Sequence, residues 1–64
     1  MSQGRIIWFN KERGYGFVKS EKGDVFIHYS SFIGDFVPND NDLISFDIVS
    51  GERGLKAEKI ILEK

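Results

Sequence analysis

An all-β fold, a small barrel of five antiparallel strands, is what this sequence predicts. Three observations carry that expectation. Five short runs show strand alternation or a β-branched and aromatic content. Turn chemistry separates them, at Ser20-Glu21-Lys22-Gly23, at Pro38-Asn39-Asp40-Asn41 and at Ser50-Gly51-Glu52-Arg53-Gly54. No stretch sustains the period of a long amphipathic helix. The 64 residues make one domain, residues 1–64, with little apolar material to spare.

The first strand is expected at Gly4–Asn10, GRIIWFN. It is apolar on both parities, Ile6 and Trp8 on one and Ile7 and Phe9 on the other. Such a strand is covered on both sides or carries a bulge that switches its parity. Asn10 to Gly14 is a connection of the length found between antiparallel neighbours, and Gly14 can take a positive φ there. The second strand, Tyr15–Ser20, alternates: Tyr15, Phe17 and Lys19 on one face, Gly16, Val18 and Ser20 on the other. Glycine at Gly16, on the aliphatic parity, implies close approach of a neighbouring backbone. The third strand, Asp24–His28, repeats the division, with Val25 and Ile27 opposite Asp24, Phe26 and His28.

Tyr29 to Asn41 has no clear period. Ser30 and Ser31 could cap a short helical turn. Phe32 and Ile33 could close one end of a barrel, and Phe36 sits in an acidic loop where it is expected to be exposed. The fourth strand, Leu43–Val49, places Ile44, Phe46 and Ile48 inward and Ser45 and Asp47 outward. The fifth, Leu55–Leu62, has Ile60 and Leu62 on one parity and Ala57 and Ile61 on the other. Three strands, a long connection and two more strands suit a five-stranded antiparallel Greek-key barrel of the OB type, with an SH3-type barrel as the structural alternative.

The two faces of the central hairpin point to function. Val18, Val25 and Ile27 supply a core face, and a small antiparallel sheet needs only one. The other face carries Tyr15, Phe17, Phe26 and His28 together with Lys19 and Asp24, which resist burial without a partner. The aromatic face is therefore expected outward. Contiguous exposed rings mark a binding surface, and flat rings beside cations suit unstacked nucleobases. Residues 8–29 hold six of the nine Phe, Trp and Tyr residues and the single histidine.

Charge supports that placement. The formal net charge is −1, too low for duplex binding by bulk electrostatics. Its distribution is uneven, however. Residues 1–20 hold four cations, Arg5, Lys11, Arg13 and Lys19, against Glu12, whereas residues 21–64 hold five cations against nine acids. The positive end coincides with the aromatic stretch, so a nucleic acid would meet a local positive field. The acids Asp35, Asp40, Asp42 and Asp47 form a solvated face that can repel phosphate.

No cysteine is present, so neither a disulfide nor a thiolate metal site is available. The sequence shows no signal-peptide pattern and no apolar run of membrane-spanning length, and a soluble cytoplasmic protein is the expectation. One histidine with scattered acids makes no metal site, and no Ser/His/Asp or Cys/His constellation is present. Neither an enzyme nor a cofactor is expected.

These residues resemble the cold shock domain family. Gly4-Arg5-Ile6-Ile7-Trp8-Phe9-Asn10 is similar to that family's opening G-K-V-K-W-F-N. Arg13-Gly14-Tyr15-Gly16-Phe17-Val18 is similar to K-G-F-G-F-I, its first ribonucleoprotein motif, and Val25-Phe26-Ile27-His28-Tyr29 to V-F-V-H-F, its second. Ser45-Phe46-Asp47-Ile48 and Gly51-Glu52-Arg53-Gly54 match its fourth strand and the following loop. The resemblance implies binding of single-stranded RNA or DNA, pyrimidine-rich tracts preferred, and an RNA chaperone-like role. It implies stacking roles for Trp8, Tyr15, Phe17, Phe26, His28, Tyr29 and Phe36, and polar or peripheral contacts for Phe9, Asn10, Arg13, Asp24 and Arg53. The chain departs from the family pattern at Ile7, where lysine is usual, and at Leu55, where proline is common. An RNA-recognition motif of the βαββαβ kind would be longer, would carry two helices and would place its shorter motif first. A peptide-binding barrel of the SH3 type would use its aromatic groove for proline-rich ligands.

Overall fold

The computed structural model describes residues 1–52 and 54–63. Five strands follow in order: β1 (Ser2–Asn10), β2 (Tyr15–Ser20), β3 (Gly23–His28), β4 (Leu43–Gly51) and β5 (Gly54–Leu62). One 3-10 turn, Tyr29–Ser31, follows β3. The strands close into a barrel in the order β1-β2-β3-β5-β4, with β4 returning to β1. Five strands in a ring cannot all alternate in direction, so one neighbouring pair has to run parallel. That pair is β3 and β5, which touch at Phe26 and Lys56. The seam is extended by a parallel bridge between Phe32 and Ile60 and by a 2.8 Å hydrogen bond from the Ile33 amide to the Ile60 carbonyl. The other four pairings are antiparallel.

Every strand contributes to one core. Ile6, Val18, Val25, Ile27, Ile44, Phe46, Ala57 and Ile60 are buried, and Phe9, Phe32, Phe36, Ile48, Leu55 and Leu62 pack against them from the rim. In β2 and β3 the aliphatic parity is the buried one, as the alternation implies. Gly16 is needed where it lies. A Cβ there would collide with the Trp8 carbonyl oxygen and sit 2.8 Å from Phe9 Cα, so only glycine lets β1 and β2 coil this tightly.

Two bulges set the facing of the remaining strands. In β1 the register steps from Ile6 opposite Val18 to Trp8 opposite Phe17, leaving Ile7 as the extra residue. Ile6 therefore points inward while Ile7 and Trp8 both point out, 42% and 39% exposed. In β5 the register steps from Ile61 opposite Ser45 to Glu58 opposite Asp47, and Lys59 takes a left-handed φ of 53°. This puts Ala57 and Ile60 on the same inward face and leaves Ile61 exposed. Simple alternation had assigned Ala57 and Ile60 to opposite faces.

Other expectations also change. Ser45 is buried rather than outward, because Gln3 and Glu63 cover it: Gln3 Nε2 donates to its Oγ at 3.3 Å, and that hydroxyl donates to Glu63 Oε1 at 2.5 Å. Ile48 is half-buried at the rim. Of the pair expected to close the barrel, Phe32 does so, but Ile33 is 51% exposed. Phe36 is not free in its loop; it stacks on Phe32, ring centroids 4.8 Å apart, above a buried Pro38.

Candidate nucleic-acid interface

The outward side chains of β1, β2 and β3 form rows across the sheet. Arg5 lies opposite Lys19, and Lys19 opposite Asp24. Trp8 lies opposite Phe17, and Phe17 opposite Phe26. Asn10 lies opposite Tyr15, and Tyr15 opposite His28. The hairpin register thus gathers residues from both aromatic motifs onto one surface, and the β1 bulge adds the indole.

The rings are contiguous. Trp8 meets Tyr15 and Phe17 at centroid distances of 5.8 and 5.7 Å. Phe26 meets Phe17 at 5.8 Å edge-on and Tyr15 at 6.0 Å in a near-parallel arrangement. His28 follows at 6.4 Å from Phe26 and packs 4.6 Å from Tyr29. Contacts of this kind hold each ring against its neighbours. Tyr15, Phe17, Phe26 and His28 are half-buried, and Tyr29 is 61% exposed. The surface is a fixed platform, already partly wet, rather than half of a two-sided core.

A second aromatic group adjoins it. Phe9 packs on Phe32 at 5.5 Å, and Phe32 on Phe36. Beside them runs an open groove of about 680 Å³ lined by Phe9, Arg13, Tyr29, Phe36 and Pro38 among others. Phe9 and Phe36 therefore belong to the groove, and Tyr29 joins it to the platform. Lys11 and Val37 also line it. Val37 and Pro38 carry no such signal in the sequence, where Pro38 reads as turn chemistry alone.

The polar candidates divide. Asn10 Oδ1 accepts from the Glu12 and Arg13 amides at 3.0 Å each, so its carbonyl builds the β1–β2 connection and only its amide nitrogen is left to meet a ligand. Gly14 completes that connection at φ 75°; its amide donates to the Asn10 carbonyl at 2.7 Å, and its carbonyl accepts from the Tyr29 amide at 2.9 Å. Arg13 and Asp24 are exposed. Arg53 lies outside the described residues. The 3-10 turn is capped not by Ser30 or Ser31 but by His28, whose Nδ1 accepts from the Ser30 amide at 3.2 Å.

Charge follows the same division. Arg5, Lys11, Arg13 and Lys19 are exposed on β1, on β2 and in the connection between them. On β4 and β5, Asp47 lies opposite Glu58. The ion pair found among the described residues, Lys56 with Glu58 at 3.9 Å, lies on β5, where Lys56 also pairs with Phe26 of β3. Arg5 Nη1 donates to the Asn41 carbonyl at 2.9 Å and Lys11 Nζ to Asn39 Oδ1 at 3.3 Å, which ties the connection before β4 to the cationic side.

Comparison with known proteins agrees with this geometry. The 'Cold-shock' DNA-binding domain matches residues 2–63. The cold shock-like protein CspLB of Listeria monocytogenes is 41% identical, the match covering 94% of this chain and 96% of that one. The cold shock proteins CspB of Geobacillus stearothermophilus and CspD of Bacillus subtilis are each 39% identical, covering 95% of this chain and 97% of theirs. Among solved structures, drosophila Unr CSD456 superposes with a TM-score of 0.82 over 98% of this chain and 26% of that one. At 23% identity that likeness speaks to the fold alone.

Proposed function

The chain belongs to the 'Cold-shock' DNA-binding domain family, and from that premise we propose that it binds single-stranded RNA or DNA by stacking unpaired bases on the outer face of β1, β2 and β3. The observation that carries the reading is the unbroken run of outward rings from Trp8 to Tyr29 beside four exposed cations. Stacking needs splayed bases, and every base offers a π-face, so the surface takes single strands and rejects duplex. Trp8, Tyr15, Phe17, Phe26, His28 and Tyr29 serve as stacking residues. Phe9 and Phe36 line the groove into which the strand continues. Asn10, Arg13 and Asp24 supply peripheral polar contacts, with Arg53 a further candidate from the family motif. The family resemblance adds a preference for pyrimidine-rich tracts and an RNA chaperone-like role in the cytoplasm to this reading.

The test is a titration with one sequence presented unpaired and again within a hairpin stem. Binding of the unpaired form alone is expected. Equal affinity for the stem would show that stacking on these rings does not drive binding.

A further inference from the structure

His28 occupies the platform in a way that its neighbours do not. Its Nδ1 accepts from the Ser30 backbone amide at 3.2 Å and lies 2.8 Å from Ser30 Oγ. A backbone N–H can only donate, so Nδ1 must present a lone pair, and the single proton of the neutral imidazole then resides on Nε2. The Ser30 hydroxyl, which can rotate, is free to donate to the same nitrogen. One face of the ring is already covered, because Tyr29 packs on it at a centroid distance of 4.6 Å and a tilt of 33°. The ring is nonetheless only half-buried. What His28 offers a ligand is therefore a partly exposed ring with an N–H at the edge away from Ser30.

We propose that His28 is a tautomer-locked hydrogen-bond donor that selects a base presenting a carbonyl oxygen, as uracil, thymine and guanine do, over one presenting an amino group at the same place. The proposal rests on the single-strand reading and adds to it the means of discrimination. Stacking alone is tolerant of base identity, whereas a donor whose orientation is fixed is not. A Nε2–H lies in the ring plane, so it meets the edge of a base lying beside the imidazole, and Phe26, 6.4 Å away and tilted by 31°, is a neighbouring ring for that base to stack on. An amino group at that place would set two donors against each other and leave both unpaired in the complex.

Two measurements test the assignment. Long-range proton–nitrogen correlation on the free protein with its imidazole neutral should show a pyridine-like Nδ1 and a protonated Nε2; a proton on Nδ1 overturns the proposal without any ligand. The second compares a short oligothymidylate with an oligomer of the same length in which difluorotoluene, a thymine isostere without carbonyl acceptors, replaces every thymine. The wild-type preference for thymine should shrink by about 2- to 12-fold in His28→Phe, which keeps a ring and loses the donor. His28→Gln, which loses the ring and regains an N–H donor, should restore the preference while binding both strands more weakly. An identical preference in wild type and His28→Phe overturns the donor role and leaves the stacking reading intact. Failure of the wild type to bind oligothymidylate at all overturns the single-strand reading itself.

Discussion

Phe26 and Phe46 should fail in opposite assays. Phe46 is fully buried on the inward face of β4. Its truncation to alanine removes a whole ring from the core and leaves a cavity, at a cost of about 3–5 kcal/mol. A domain of 64 residues has roughly 3–10 kcal/mol of stability in all. Phe46→Ala should therefore lower the melting temperature by tens of degrees or fail to fold. Phe26 lies on the outward face of β3 and is half-buried, held by Tyr15, Phe17 and His28 at centroid distances of 6.0, 5.8 and 6.4 Å. Its ring is already partly wet, so Phe26→Ala should cost about 1 kcal/mol of stability, a few degrees in a domain this small. In binding, the same truncation removes a stacking platform worth about 1–3 kcal/mol, or roughly 5- to 150-fold in affinity. Thermal unfolding followed by circular dichroism and oligonucleotide titration, run on both variants, separate the two roles. If Phe26→Ala unfolds the protein while Phe46→Ala stays folded and loses binding, the assignment of the two faces is inverted.

Three further outcomes are expected. Ile7→Lys should leave the melting temperature almost unchanged, because the bulge turns that side chain outward, and should tighten binding about eightfold at 50 mM salt by adding one phosphate contact; a loss of several kcal/mol of stability would mean that Ile7 is a core residue. For the wild type, log affinity against log salt should fall with a slope of only about −1 to −3, at about −0.7 per phosphate, and a slope near −6 would make electrostatics rather than stacking the main driving force. Gly16→Ala should destabilise by roughly 1–3 kcal/mol, since its Cβ meets the backbone of β1 rather than a movable side chain; an unchanged melting temperature would show that the two strands can separate there at no cost.

The parts legible in the sequence are those governed by local alternation. Tyr15–Ser20 and the hairpin after it read correctly because each residue on one parity is aliphatic or glycine and each on the other is aromatic or polar. That pattern fixed the register, and the register fixed the platform. Trp8 could not be oriented from periodicity, because Ile6, Ile7, Trp8 and Phe9 are all apolar and the bulge that decides between them leaves no composition signal. Lys59 hid the facing of Ala57 and Ile60 for a related reason: a lysine in the left-handed region looks like any other strand lysine in sequence. Ser45 misled because its cover comes from Gln3 and Glu63, 42 and 18 residues away, and no local rule connects them. Phe36 and Pro38 lie in an aperiodic connection, where burial depends on the closure of the barrel by Phe32 against β5. The cap at His28 was missed because serine is the commoner capping residue and two serines followed.

The central claim is that bases stack on the outer face of β1, β2 and β3. It is tested most directly by chemical-shift mapping of the isotopically labelled protein during titration with a short oligopyrimidine. The largest changes should fall on Trp8, Tyr15, Phe17, Phe26, His28 and Tyr29, with smaller ones at Phe9 and Phe36 along the groove. Asp47, Glu58 and Ile61 on the wall made by β4 and β5 should stay where they are. Changes centred on that wall, with the aromatic rows unmoved, would contradict the account.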